Sequence, residues 1–403
     1  MRLNFWKKKT DQTKKKKKPV WREWLDAAVF AIIAATIIRT FLIEAYTIPS
    51  GSMEGTMLVN DYLFVSKVAY GPRMPMTPLS VPLVNNTMPV FGGKSYSDAV
   101  QWGYHRLPGF GHIQRYDVVV FNFPNNDTTM LERPADDYYQ AVRAMGRERV
   151  WSTYSITTRP VDKEENYIKR CVGVPGDTIQ LKHTFLYVNG KKARIYPHQR
   201  MEYTIRSTNN FTLSLDFMDK HNVVSSNKFN GMTTQAVFEM ETETADQIRK
   251  VPGVISVTPF EQQGPGVIST FPGAWVYPQD TALFHWNVDN YGPVVIPKKG
   301  MTIQLTPQNV ALYRRAIRTY EKNDFVEKNG QYVINGKPAT QYTFKMDYYW
   351  MMGDNRHESA DSRYFGFVPE DHIVGKASFV WLSYGKHGIR WNRILRSISH
   401  LEK

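Results

Sequence analysis

Three short strings gather residue types that can do covalent chemistry. The first is Pro49-Ser50-Gly51-Ser52-Met53. A proline followed by Ser-Gly-Ser makes a tight turn that exposes a hydroxyl, and Gly51 lets another chain approach closely. Alone, a solvated turn is the plainer reading. The second runs from Tyr167 through Ile168, Lys169, Arg170 and Cys171 to Gly176-Asp177. Side chains alternate along a strand, so Lys169 shares a face with Tyr167 and Cys171, and Arg170 takes the other. One of the two adjacent cations should therefore point inward. A buried lysine loses its hydration, its pKa falls, and it can stand neutral near pH 7 and take a proton from serine. The alternative is a surface lysine before a plain turn. That Gly-x-Pro-Gly-Asp turn lacks the Gly-Lys-Ser/Thr ending of a phosphate loop.

The third string is Met352-Gly353-Asp354-Asn355-Arg356-His357-Glu358-Ser359-Ala360-Asp361-Ser362-Arg363. So many polar groups between apolar runs must be partly internal and satisfied. Asp354, Asp361 and Arg363 read as structural support, and a hydroxyl such as Ser359 can hold a buried amine toward a nucleophile. His357 tempts a serine-histidine-aspartate triad, but its charged neighbours predict a solvated loop histidine. Cys171 is the only cysteine, and no paired-histidine spacing occurs, so neither metal nor cofactor is expected.

These strings need elements to position them. Residues 27–43 are apolar apart from Thr36, Arg39 and Thr40, with Trp21 and Trp24 before and Tyr46 after. The pattern predicts a membrane anchor over 21–46, with the aromatics at the interfaces. A core helix or a cleavable leader are the alternatives. Arg39 would have to snorkel outward. Residues 1–20 hold nine basic groups against Asp11 alone, so +8 of the formal +14 lies there. The positive-inside rule makes this a cytoplasmic tail, drawn to anionic lipid, and sends the rest across. The nearly balanced remainder does not require a nucleic-acid partner.

Beyond the anchor, runs rich in β-branched and aromatic residues recur at 62–68, 117–123, 167–174, 178–187, 342–351 and 376–384, predicting a mainly antiparallel β fold. Asn189-Gly190 and Asn335-Gly336 read as type I′ hairpin turns. Thr306-Pro307 opens the best helix, running past Val310, Leu312, Tyr313, Ile317 and Tyr320, and a second helix follows Pro134. Residues 74–110 form a loop with extended pieces. Residues 198–329 carry no chemical motif and read as a second domain or large insertion of mixed strand and short helix.

Taken together and in order, the strings resemble type I signal peptidase, the membrane-anchored serine-lysine enzyme that removes signal peptides from exported proteins. The resemblance covers the anchor, the Pro-Ser-x-Ser-Met turn, the strand 115–121, the Lys-Arg string and the Gly-Asp-Asn-Arg to Ser-Arg string. It implies a catalytic core in two parts, 47–197 and 331–403, around an inserted domain at 198–330. It implies Ser52 as nucleophile and Lys169 as general base, with Ser50 completing an oxyanion hole and Ser359 orienting the lysine. Ile48, Met53, Met57, Val120 and Ile168 match positions lining pockets for small substrate side chains. The implied partners are signal-peptide-bearing preproteins from the export machinery and membrane lipid, with residues 74–91 extending an apolar surface toward the bilayer. The implied place is the bacterial cytoplasmic membrane, single-pass, with the catalytic domain on the outer face. A self-cleaving repressor-type peptidase would need a cytoplasmic location and a DNA-binding domain. An envelope scaffold of the same fold would have lost the serine or the lysine.

Overall fold

The computed structural model describes residues 19–89, 92–209, 211–226, 234–328 and 330–402. Eighteen residues of the predicted cytoplasmic tail, and Val90 and Phe91 of the predicted bilayer-facing loop, lie outside them. Helix α1 (Val20–Phe41) follows Pro19, buries none of its residues and is long and apolar enough to cross a membrane. The predicted anchor reaches residue 46, but the helix stops at Phe41 and strand β1 (Ile43–Thr47) begins at once. β-Branched and aromatic residues favour that switch. Glu44 enforces it, because its carboxylate lies 2.7 Å from Arg39 and 2.8 Å from Lys67. Arg39 is thus met at the helix end.

The main sheet is antiparallel. β1 pairs with β2 (Asp61–Ser66), followed in space by Ile373–Gly385, then β3 (Val118–Asn122), β4 (Asn166–Gly173) and Tyr348–Met352. Alternation survives at the edge, in β1 and in β2, whose burial switches at every residue. β3 is buried at all five positions and β4 at its last five, so both faces of the sheet centre are covered. The expectation that only one of Lys169 and Arg170 points inward therefore fails. Lys169 is 4% and Arg170 1% exposed.

A second antiparallel sheet pairs Arg200–Ser207 with Gln235–Glu241 and Val254–Pro259 over a core including Met201, Tyr203, Ile205 and Met240. The largest core surrounds Trp350, Tyr348, Tyr313 and Phe344. Both Asn-Gly turns have positive φ at both residues, as type I′ requires. Thr306 caps the helix Pro307–Arg315 by accepting from Asn309 N, and the predicted helix after Pro134 runs Tyr138–Met145. Two predicted runs are broken. Residues 178–187 fold as a hairpin turning at His183-Thr184, both at positive φ, pinned by Asn290 and the Asp289 carbonyl. Residues 342–351 split into Gln341–Thr343 and Tyr348–Met352.

Candidate active site

The serine turn is built from its apolar residues outward. Gly51–Met53 forms a single 3-10 turn anchored by the fully buried Met53, and Met57 N donates back to Met53 O at 2.9 Å. Gly55, at φ +105°, passes so close to the chain that a Cβ there would stand 1.8 Å from His198 O. Only glycine fits both demands.

β4 carries Lys169 to this turn. Its Nζ lies 2.6 Å from Ser52 Oγ and donates to Ile168 O at 3.1 Å. Burial strips the ammonium of water and lowers the pKa to about 8, while the Asp361 and Asp354 charges resist the fall. A weak base thus sits in contact with a hydroxyl that it can deprotonate. Ser50 Oγ is 3.4 Å from Ser52 Oγ.

The Gly353 to Arg363 loop closes the site. Asn355 N donates to Ser52 O at 3.2 Å. A Cβ on Gly353 would fall 2.2 Å from Ser359 Oγ and 2.4 Å from Ser52 O. Ser359 is therefore packed beside Gly353 at the serine, but its buried hydroxyl has no hydrogen-bond partner among the described residues and makes no bond to Lys169. Gly353→Ala is expected to lower both the thermal midpoint and cleavage, because the methyl must displace backbone. Unchanged midpoint and rate in a melt and a peptide assay would disprove that crowding.

Asp354 and Asp361 brace this loop. Arg170 Nε and Nη2 donate to Asp354 at 2.8 and 2.7 Å, and Arg363 Nε and Nη2 donate to Asp361 at 2.9 Å each. Burial raises each carboxylate, and its arginine outweighs that, holding both below the usual range. Asp361 also accepts from Gly353 N at 3.1 Å. Ile48, Met53, Met57 and Val120 are buried in one apolar cluster, with Ile168 half-buried against it. Of these five, Ile168 alone keeps appreciable surface.

His357 departs from expectation. Its side chain is 2% exposed; Glu202 N donates to Nδ1 at 3.0 Å, and Nε2 lies 3.2 Å from Asp289. Both ring nitrogens are committed, so it belongs to no triad with Ser52. Its charged sequence neighbours gave no sign of Glu202 and Asp289, which arrive from the region without motifs.

Sequence reasoning also missed the shell around Arg170. Tyr116 O, Thr56 Oγ1 and Glu402 accept from it, and its guanidinium stacks 4.2 Å from the Tyr196 ring centroid. Arg200, 1% exposed, was likewise overlooked. Its N donates to Asp354 O, its carbonyl accepts from Arg356 N, and its side chain meets Glu239, so the second sheet grips the loop from Gly353 to Arg363. No local signal marks either set, because the partners lie 26 or more residues away in the chain.

The family profile described as signal peptidase, peptidase S26, matches residues 21–242 and 294–382. The chain is 25% identical to signal peptidase I of Buchnera aphidicola subsp. Acyrthosiphon pisum over 97% of this chain and 86% of that one. It is 25% identical to signal peptidase I of Haemophilus influenzae over 91% and 71%. It is 32% identical to signal peptidase I of Rickettsia massiliae over 45% and 48%. With most of its length matched, and an apolar helix leading into a serine turn that meets a buried lysine, the chain belongs to the signal peptidase family, peptidase S26.

Proposed function

We propose that this membrane-anchored signal peptidase cuts preproteins with Ser52 as nucleophile and Lys169 as general base. The observation that carries the reading is the 2.6 Å approach of Lys169 Nζ to Ser52 Oγ in a buried setting. Ser52 Oγ attacks the scissile carbonyl carbon as its proton passes to the neutral amine. The tetrahedral oxyanion is held by the Ser52 N–H and the Ser50 hydroxyl. Collapse breaks the C–N bond, and the leaving nitrogen takes the proton from Lys169. Water, deprotonated by the same lysine, then hydrolyses the ester and frees Ser52.

The substrate runs extended between two free strand edges. Among the described residues β1 pairs only with β2, and residues 166–169 of β4 pair only with β3. An added strand would satisfy both edges. Its small side chains fill shallow pockets over the Ile48, Met53, Met57, Val120 and Ile168 cluster, and bulky ones are rejected by volume. Rotation of the unpartnered Ser359 hydroxyl supplies an orienting bond to Lys169 once substrate excludes water.

α1 spans the bacterial cytoplasmic membrane with the lysine-rich end inside, and the body acts on the outer face on preproteins from the export machinery. In this reading the catalytic core comprises residues 47–197 and 331–403, around an insertion at 198–330.

The test is cleavage of a preprotein by purified protein and variants. Ser52→Ala is expected to abolish cleavage with the fold intact by circular dichroism; retained cleavage would sink the assignment. Ser50→Ala is expected to lower kcat by about 10²- to 10³-fold with little change in KM, as loss of one oxyanion donor does.

A further inference from the structure

A cavity of about 230 Å³ lies beside the outer end of α1, away from the serine turn. Thr36, Arg39 and Thr40 of the last helical turns form one wall, and the loop around Val81 and Leu83 forms another. Four cations line it, Arg39, Lys67, Arg73 and Lys163, against two carboxylates, Glu44 and Asp162.

Neither carboxylate makes a direct contact with Arg73 or Lys163. Glu44 is shared by Arg39 and Lys67. Asp162 accepts from Met76 N, Thr77 N and the Thr77 hydroxyl. Among the described residues Arg73 donates only to uncharged oxygens, the Asp371 carbonyl and the Asn122 side-chain amide. The Lys163 ammonium has no hydrogen bond or ion pair among the described residues; it lies 5.6 Å over the Tyr96 ring. Two cations thus face a half-open space with no ion pair of their own among the described residues, and they share the nearby charge of a single carboxylate, Asp162. Unpaired charge held out of bulk water is costly unless an anion joins it. At the cavity's mouth, Val81 and Leu83 stay 41% and 48% exposed. A positive pocket with an apolar lip, at the depth where a spanning helix leaves the hydrocarbon, matches a phosphate with acyl chains attached.

We propose that this cavity binds the headgroup of an anionic phospholipid of the outer leaflet, with Lys163 and Arg73 toward the phosphate and Val81 and Leu83 against the acyl chains. The inference rests on α1 spanning the bilayer with Phe41 at its outer end. Because the cavity also reaches Tyr46 and Asn166 beside the substrate path, a bound lipid would flank the entering signal peptide.

The experiment is native mass spectrometry of the full chain, released from micelles containing phosphatidylglycerol or phosphatidylcholine. Wild type is expected to keep one phosphatidylglycerol per chain, about tenfold in preference to phosphatidylcholine. Lys163→Gln, and separately Leu83→Asp on the exposed lip, should each lower that retention about fivefold or more, while Lys191→Gln on a distant hairpin leaves it unchanged. Leu83→Asp keeps the test alive should Lys163→Gln fail to fold. Equal retention of the two lipids, no effect of either cavity variant, or a bound peptide in place of lipid would overturn the proposal. Alkaline carbonate extraction tests the spanning helix separately. Release of the chain would defeat that reading, whereas a retained chain without lipid preference defeats only the headgroup site.

Discussion

Lys169→Ala is expected to lower cleavage of a preprotein by at least about 10³-fold, since among the described residues it removes the only base touching Ser52. In the wild type, kcat/KM should rise about tenfold per pH unit and level off above about 8, because only the neutral amine can take the hydroxyl proton. A rate independent of pH between about 6 and 9 would remove Lys169 as the base. The same depressed pKa carries a stability signature of definite sign. Between about 8 and the ordinary 10.5, the unfolded chain binds the proton and the folded chain does not, so stability rises with pH across that window. Below it the folded protein bears a charged, buried ammonium, at a cost of up to about 3 kcal/mol. Lys169→Met should therefore raise the thermal midpoint near pH 6 while killing activity, with the gain fading above pH 10. A variant less stable than wild type near pH 6 would contradict the burial account.

Asp354→Ala should destabilise the fold by about 3–5 kcal/mol, as expected when one partner of a buried ion pair is lost. Arg170 would keep Tyr116 O, Thr56 and Glu402, but nothing else neutralises it so fully enclosed. Arg170→Met combined with Asp354→Leu should recover much of the loss, because an apolar pair of similar volume avoids the desolvation. Denaturant unfolding of the two variants separates these outcomes. A cost below about 1 kcal/mol in Asp354→Ala would mean that water reaches the pair. Activity should fall in both, since Arg170 follows the base and Asp354 follows the glycine beside Ser52.

Much of this site could be read from the chain. Ser52, Lys169 and the Gly353 loop each carry a local mark, and the marks meet in space. The β class followed from runs such as 117–123, and Thr306-Pro307 announced its helix. What escaped reading lacks a local cause. His183-Thr184 turns without glycine because Asn290 and Asp289, over 100 residues on, hold it there. Alternation failed at Lys169-Arg170 because that rule assumes one wet face, and here both are covered. His357 looked solvated because its neighbours in sequence are charged, whereas its neighbours in space are Glu202 N and Asp289. The helix boundary at Phe41 depended on Lys67 meeting Glu44, a pairing across a strand turn.

The separations along the chain also fix an order of events. Asp61, wholly buried on the strand that follows the serine turn, is neutralised by Arg393, 332 residues later. Ser52 waits 117 residues for Lys169, and Arg170 a further 184 for Asp354. Contacts this distant form late and slowly. On the proposed roles, a nascent chain therefore presents its nucleophile early and its base midway, but the buried charges that brace them are matched only when almost the whole body has emerged.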